Sequence, residues 1–266
     1  MVNDTITVNI LQNLPLSVNV ITGSGAQYNF DFLKYAKDMN FENIEEVTSI
    51  YLPDMPNWTL DSYAKNNFKN ATNLQALIIG NVPKATKIRE IVRYCPSLKI
   101  FKIGNCPNVT ESYAIALSNL SVEYVEIGNL PRTTTLQQAF SALGNTGNLK
   151  TLIIGDVPLC TNMNYLCQNQ VKLENLTLGD FSGVTSITSS FVGCSSLENV
   201  NFTGKTCSVN ISFSPCSKLT HDSVINIFNA LPVVASTKTL TLHAQAKARV
   251  SAQEIEIATS KGWTVA

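Results

Sequence analysis

The sequence predicts an α/β solenoid, with a parallel β-sheet along one face, short helices along the other, and a closing segment at each end. Three observations carry this. First, the phrase apolar-x-x-apolar-x-apolar is written six times: Leu74-Leu77-Ile79, Leu98-Phe101-Ile103, Val122-Val125-Ile127, Leu149-Leu152-Ile154, Leu173-Leu176-Leu178 and Leu197-Val200-Phe202. Its last residues fall at 79, 103, 127, 154, 178 and 202, so the spacings are 24, 24, 27, 24 and 24. A fixed period in the twenties marks one structural unit per repeat, stacked on its neighbours. Second, four copies run on into Gly-(Asn/Asp)-x-Pro, beginning at Gly80, Gly104, Gly128 and Gly155, and a fifth drifts to Gly179-Asp180-Phe181-Ser182. Third, the chain is 44% hydrophobic and only 14% charged, which suits a long core under a neutral polar surface.

Residues 1–40 lack the phrase. Thr5–Leu11 and Ser17–Ile21 alternate and read as strands around a turn at Asn13-Leu14-Pro15. Gly23-Ser24-Gly25 breaks the chain without the further residues of a phosphate loop. Apolar residues at 30, 32, 33 and 36 read as a short helix over Phe30–Met39. This segment is expected to cover the first repeat or to dock the molecule. Residues 41–216 form the repeat region, opened by a diverged copy at Val47, Ile50 and Leu52.

Within each repeat the Gly is expected to turn the chain out of the sheet with an unrestricted φ. The Asn or Asp is expected to bond its own turn, and the Pro to mark the corner. A Thr recurs at 86, 110, 134, 161 and 185, placed to cap a short return helix. The returns are Lys87–Tyr94, Glu111–Ser118, Leu136–Leu143, Asn162–Cys167 and Ser186–Val192.

Residues 217–266 change character. Thr220 opens a helix from Asp222 to Leu231, and Thr237-x-x-Leu240-x-Leu242 restates the strand phrase. Ser251-x-x-Glu254 is a capping box for a helix to Ser260, Gly262 stops it, and Trp263–Val265 is a last strand. Eight strand phrases at about 4.8 Å make a sheet roughly 34 Å wide.

Seven cysteines occur with no Cys-x-x-Cys. Cys95, Cys194 and Cys216 each stand three residues before an opening apolar residue, and Cys106 and Cys160 align with apolar positions. They read as small core residues. A Cys194–Cys216 disulfide between adjacent repeats is geometrically open.

The repeats resemble leucine-rich repeats, and more closely the BspA-like branch, in which Phe-x-x-Cys-x-x-Leu recurs. Phe191-Val192-Gly193-Cys194-Ser195-Ser196-Leu197 and Phe213-Ser214-Pro215-Cys216-Ser217-Lys218-Leu219 match it, and Tyr94-Cys95-Pro96-Ser97-Leu98 matches in part. The closing residues Thr239–Leu242 and Ala258–Thr264 look like the C-terminal end of such proteins, found on bacterial surfaces and in phage particles. The resemblance spans about residues 44–266. It implies a leucine-rich-repeat solenoid with a recognition or adhesion role, and brings no catalytic residues.

Function follows from what is excluded and what is left. Formal net charge is zero, which argues against nucleic acid and anionic membrane as partners. No run of 18 apolar residues is present, so membrane insertion is not expected. Met1–Thr5 carries no basic n-region, so no secretory signal peptide is read. The expected course is production in the cytoplasm and service on a virion (tail or head fibre) or cell surface. His221 falls at a helix start and His243 at a strand end, with no nucleophile elbow; no enzyme and no cofactor are expected. Asp156 and Asp180 align on neighbouring repeats as a candidate ion pair of ligands, against a plain Asx ladder with Asn81, Asn105 and Asn129.

The outward face of the strands is the candidate site. Alternation turns Ser49/Tyr51, Ala76/Ile78, Ile100/Lys102, Tyr124/Glu126, Thr151/Ile153, Asn175/Thr177, Asn199/Asn201 and Thr239/Thr241 outward. The candidate contact set is Tyr51, Ile78, Ile100, Lys102, Tyr124, Glu126, Ile153, Asn175, Asn199 and Asn201. Ile78, Ile100, Tyr124 and Ile153 are expected to form one apolar patch. Its expected partner is a protein or surface glycan, with self-association or sister virion subunits as the alternative.

Overall fold

The computed structural model describes residues 4–10, 15–20, 36–40, 47–60, 68, 70–92, 95–115, 121–142, 144 and 146–266. The first three strands, β1 (Asp4–Ile10), β2 (Pro15–Val20) and β3 (Ala36–Asn40), form their own sheet in the order β2-β1-β3. Both pairings are antiparallel. The helix expected over Phe30–Met39 is corrected where it can be seen: residues 36–39 are strand, with Val8 opposite Met39 and Thr7 opposite Asn40. The β1–β2 hairpin has a free edge, and β3 supplies it with backbone partners that a helix would not. Residues 30–35 and the Gly23-Ser24-Gly25 break lie outside the described residues.

The repeats lay down seven four-residue strands: β4 (Ser49–Leu52), β5 (Ala76–Ile79), β6 (Ile100–Ile103), β7 (Tyr124–Ile127), β8 (Thr151–Ile154), β9 (Asn175–Leu178) and β10 (Asn199–Phe202). They form one all-parallel sheet in chain order. The phrase sets the register: Leu77, Phe101, Val125, Leu152, Leu176 and Val200 align, as do Ile79, Ile103, Ile127, Ile154, Leu178 and Phe202. All twelve are buried in a core that continues without a break from Val47 to Val265. Each large apolar side chain so buried contributes about 1.5–3 kcal/mol.

Among the described residues the returns are not helices. Where described, they are turns joined across repeats by single parallel bridges, Lys87 to Glu111, Thr135 to Asn162 and Asn162 to Ser186. Their amides donate forward to the next repeat, as Gln138 does to the Asn164 carbonyl at 3.0 Å and Met163 to Ser186 at 2.8 Å. Among the described residues of the returns, Glu90, Ala114, Gln138, Tyr165 and Ser189, one in each, have φ between 52° and 58°. A left-handed residue every 24 or 27 positions ends any helical turn as it starts. The recurring Thr is corrected with them. Thr134, Thr161 and Thr185 donate their hydroxyls to the carbonyls of Thr110, Thr134 and Thr161 one repeat back, instead of capping a helix.

The corner after each strand is a third ladder. The Oδ1 atoms of Asp54, Asn81, Asn105, Asn129 and Asp156 accept the backbone N–H of Asn81, Asn105, Asn129, Asp156 and Asp180 in turn, at 2.7–2.8 Å. The last member, Asp180, bonds its own turn, through Ser182. The preceding Gly serves close approach, and its φ is not in the left-handed region. A Cβ on Gly128 would lie 2.6 Å from the Gly104 carbonyl carbon and 2.7 Å from the Asn105 nitrogen.

After β10 the chain leaves this sheet. Helix α1 (His221–Ala230) is capped by Thr220 and lies on the free edge of β10. Ser223 Oγ accepts the Val200 N–H at 2.9 Å, and Asn226 Oδ1 accepts that of Phe202 at 3.0 Å. Strands β11 (Ile211–Phe213), β12 (Lys238–Leu242) and β13 (Trp263–Val265) make a separate three-stranded parallel sheet. The eighth strand phrase therefore pairs with β11 and β13 instead of widening the main sheet, because α1 already occupies that edge. Helix α2 (Ala244–Lys247) is a single turn, and α3 (Ala252–Thr259) carries the capping box of Ser251 and Glu254. Gly262 stops it with φ of 90°. Among the described residues no helix is long and apolar enough to cross a membrane.

Candidate functional site

The outward side chains of β4–β10 stand in two straight rows. One runs Ser49, Ala76, Ile100, Tyr124, Thr151, Asn175, Asn199; the other runs Tyr51, Ile78, Lys102, Glu126, Ile153, Thr177, Asn201. Strand alternation places all ten candidate residues here. Exposure is uneven: Tyr51 is 57% and Ile100 37% exposed, Asn199 and Asn201 are exposed, and Ile78, Lys102, Tyr124, Glu126, Ile153 and Asn175 are half-buried. Ala76 is buried. Thr239 and Thr241 belong to β12 in the other sheet and so leave this face.

The centre of the face is polar. Lys102 Nζ lies 2.9 Å from Glu126 Oε2 and 4.6 Å from the centroid of the Tyr124 ring. The Tyr124 hydroxyl donates to the same Glu126 oxygen at 2.8 Å. These contacts shift the groups as charge and burial require. The bond to Glu126 raises the Lys102 pKa. The bonds from Lys102 and Tyr124 lower that of Glu126. Burial, then the Glu126 bond, raises that of Tyr124. The cluster stands between Ile78 and Ile153 in their row, so the single apolar patch expected from the sequence is divided. An apolar part (Tyr51, Ile78, Ile100) and an amide part lie on either side.

The amide part is a hydrogen-bonded chain. Asn199 Nδ2 donates to Asn175 Oδ1 at 2.9 Å, and Asn175 Nδ2 to Thr151 Oγ1 at 3.5 Å. Asn226, arriving from α1, donates to Asn201 Oδ1 at 3.3 Å. Asn226 carries no strand signal, and only the helix docking on the β10 edge brings it in.

Sequence reasoning also missed a charged rim one position before the strands. Glu123 pairs with Lys99 at 3.2 Å and Lys150 at 2.8 Å, and both bonds lower its pKa. The signal was present: positions 99, 123, 150, 174 and 198 are Lys, Glu, Lys, Glu and Glu in the repeat register.

The remaining titratable candidates are engaged locally. His221 Nδ1 lies 3.1 Å from Asp222 and Nε2 2.9 Å from Glu254, linking the starts of α1 and α3. His243 Nδ1 accepts the Gln245 N–H and caps α2. Asp156 accepts the Asp180 backbone N–H, as a ladder member does. Among the described residues no three His, Cys, Asp or Glu are grouped to hold a metal ion. All seven cysteines are buried as thiols. Burial pushes the Cys95, Cys160 and Cys207 thiols up to about 11 and that of Cys106 to about 12, far from nucleophilic use.

Comparison with known protein families, curated proteins and solved structures finds no match to this chain.

Proposed function

We propose that this chain is a leucine-rich-repeat solenoid of the BspA-like type whose open sheet face recognises a partner without catalysis. In this reading β1–β3 cover or dock one end, and α1 with the β11–β13 sheet caps the other. The module serves on a phage virion, as part of a tail or head fibre, or on a cell surface. Its partner is a protein or a surface glycan. One observation carries the reading: fourteen outward positions on seven strands stand in two continuous rows, exposed or half-buried except Ala76. Such a surface is rigid before it meets a ligand, so little ordering entropy is lost on binding.

The test is a panel of immobilised surface glycans and surface proteins probed with the intact chain. Two face variants, Ile100→Asp and Asn199→Ala/Asn201→Ala, are compared with Val233→Ser, which changes an exposed residue outside the strands. A ligand lost by a face variant and kept by Val233→Ser supports the reading. Ligands that ignore both face variants overturn it.

A second reading, assembly with sister subunits, is favoured by the separate sheet of β1–β3, which is a ready docking element. It predicts a concentration-dependent mass by light scattering that removal of residues 1–40 abolishes. A monomer at every concentration removes self-assembly of the isolated chain.

A further inference from the structure

Cys167 stands where the next two repeats carry a phenylalanine. It precedes Gln170 by three residues, as Phe191 precedes Cys194 and Phe213 precedes Cys216. Phe191 and Phe213 fill this position by stacking, with centroids 4.6 Å apart. At Cys167 the side chain is short, and the next repeat brings a second thiol beside it. Cys194 Sγ sits 3.9 Å from Cys167 Sγ and 3.1 Å from the Cys167 carbonyl oxygen. The same rung in an earlier repeat shows the carbonyl contact without a second thiol: Cys95 Sγ lies 3.0 Å from the Phe68 carbonyl. Both sulfurs of the Cys167–Cys194 pair are fully enclosed.

We propose that Cys167 and Cys194 are a latent disulfide staple between adjacent repeats, closed by a low-molecular-weight disulfide such as glutathione disulfide. One thiol loses its proton and attacks the small disulfide, giving a mixed disulfide and releasing one small thiol. The second protein thiol loses its proton and attacks that bond, and a second small thiol leaves. Two protein thiols are oxidised by two electrons and one small disulfide is reduced to two thiols. In the closed protein neither step runs, because no oxidant reaches the sulfurs, and burial pushes the Cys167 thiol well above its ordinary value. The staple therefore closes during folding or when these repeats open, and afterwards it is shielded from reductants. Burial, then the nearby Cys194, raises the Cys216 thiol, and this nearness makes Cys216 the competing partner.

The intact chain is unfolded in urea, refolded by dilution in glutathione disulfide with reduced glutathione, freed of glutathione at acid pH, alkylated in fresh urea so that every remaining thiol is reached, and mapped by mass spectrometry. The expected result is five alkylated thiols instead of seven, and a Cys167–Cys194 cross-linked peptide lighter than the reduced pair by about 2 Da. The oxidised protein should have a higher urea midpoint, reversed when dithiothreitol is added to the unfolded chain, since a closed loop restricts the unfolded chain. Cys216→Ser should retain the staple, and Cys167→Ser or Cys194→Ser should abolish it. The wild-type map decides even where a variant folds poorly. Alkylation of all the cysteines after refolding, a glutathione adduct at either cysteine, or a Cys194–Cys216 peptide each overturns the proposal.

Discussion

Asn129 Oδ1 accepts the backbone N–H of Asp156, 27 residues further along the chain, at 2.8 Å. Five such bonds run from Asp54 to Asp180, one from each repeat to the next. The side chain expected to satisfy its own turn instead holds its neighbour at a fixed height. Asn129→Ala should destabilise the protein by about 0.5–1.5 kcal/mol by urea unfolding, since the orphaned N–H is near water. Asn129→Asp should be close to neutral, because Asp54 and Asp156 fill the same role.

Gly128→Ala should cost about 1–3 kcal/mol, towards the upper end. The new methyl would meet the Gly104 carbonyl carbon at 2.6 Å, and backbone cannot rotate away. An unchanged urea midpoint would show that the corners are looser than this geometry.

Gln138 is exposed with φ of 52°. Gln138→Gly removes a left-handed penalty of about 1–2 kcal/mol and adds a glycine entropy cost of about 0.5–1 kcal/mol. The expected outcome is a midpoint equal to wild type or higher. The control is Gln137→Gly, one residue earlier in the same return and without a positive φ, which should lose stability.

The link between α1 and α3 should depend on pH. Bonds to Asp222 and then Glu254 raise the His221 pKa above 6.5, so its contribution is complete below that value and is lost as pH rises through the raised one. The Ser251 backbone bond, then His221, lowers the Glu254 pKa from 4.5 to about 2, so its contribution is complete above 4.5 and is lost as pH falls towards 2. Together they make the link strongest between about pH 4.5 and 6.5. Urea midpoints of wild type and His221→Gln should differ most in that window and converge on both sides.

The Lys102–Glu126 pair is half-exposed at its side chains. A double-mutant cycle with Lys102→Met and Glu126→Gln should give a coupling of about 0.2–1 kcal/mol that shrinks in salt. Under the recognition role proposed above, the same substitutions should change ligand binding more than stability, because the pair separates Ile78 from Ile153.

The strands and their outward rows were legible because alternation and a repeated phrase fix register directly: Leu77 inward forces Ile78 outward. The returns were not. A short segment such as Leu136–Leu143 has the same apolar spacing whether it coils or bonds forward to the next repeat. The deciding residues, Glu90, Ala114, Gln138, Tyr165 and Ser189, are of types that give no left-handed signal. The polar centre was half legible: Lys102 beside Glu126 follows from register, whereas Tyr124 bonding the same carboxylate needs side-chain geometry. Asn226 was invisible because helix docking, not periodicity, delivers it.

One repeat is longer than its neighbours, and the excess is confined. Thr135 is bridged to Asn162, 27 residues ahead, yet Thr151 pairs with Asn175, 24 ahead. Three extra residues are therefore absorbed between those points. There Gly144 has φ of 65° with open space around it, while Gln170 reaches across to hold the Phe140 carbonyl and the Leu149 N–H. The stretch works as an expansion joint: chain length changes and neither ladder moves. A foreign loop grafted at Gly144 would be carried at one defined height along the molecule, with the sheet face left as it is.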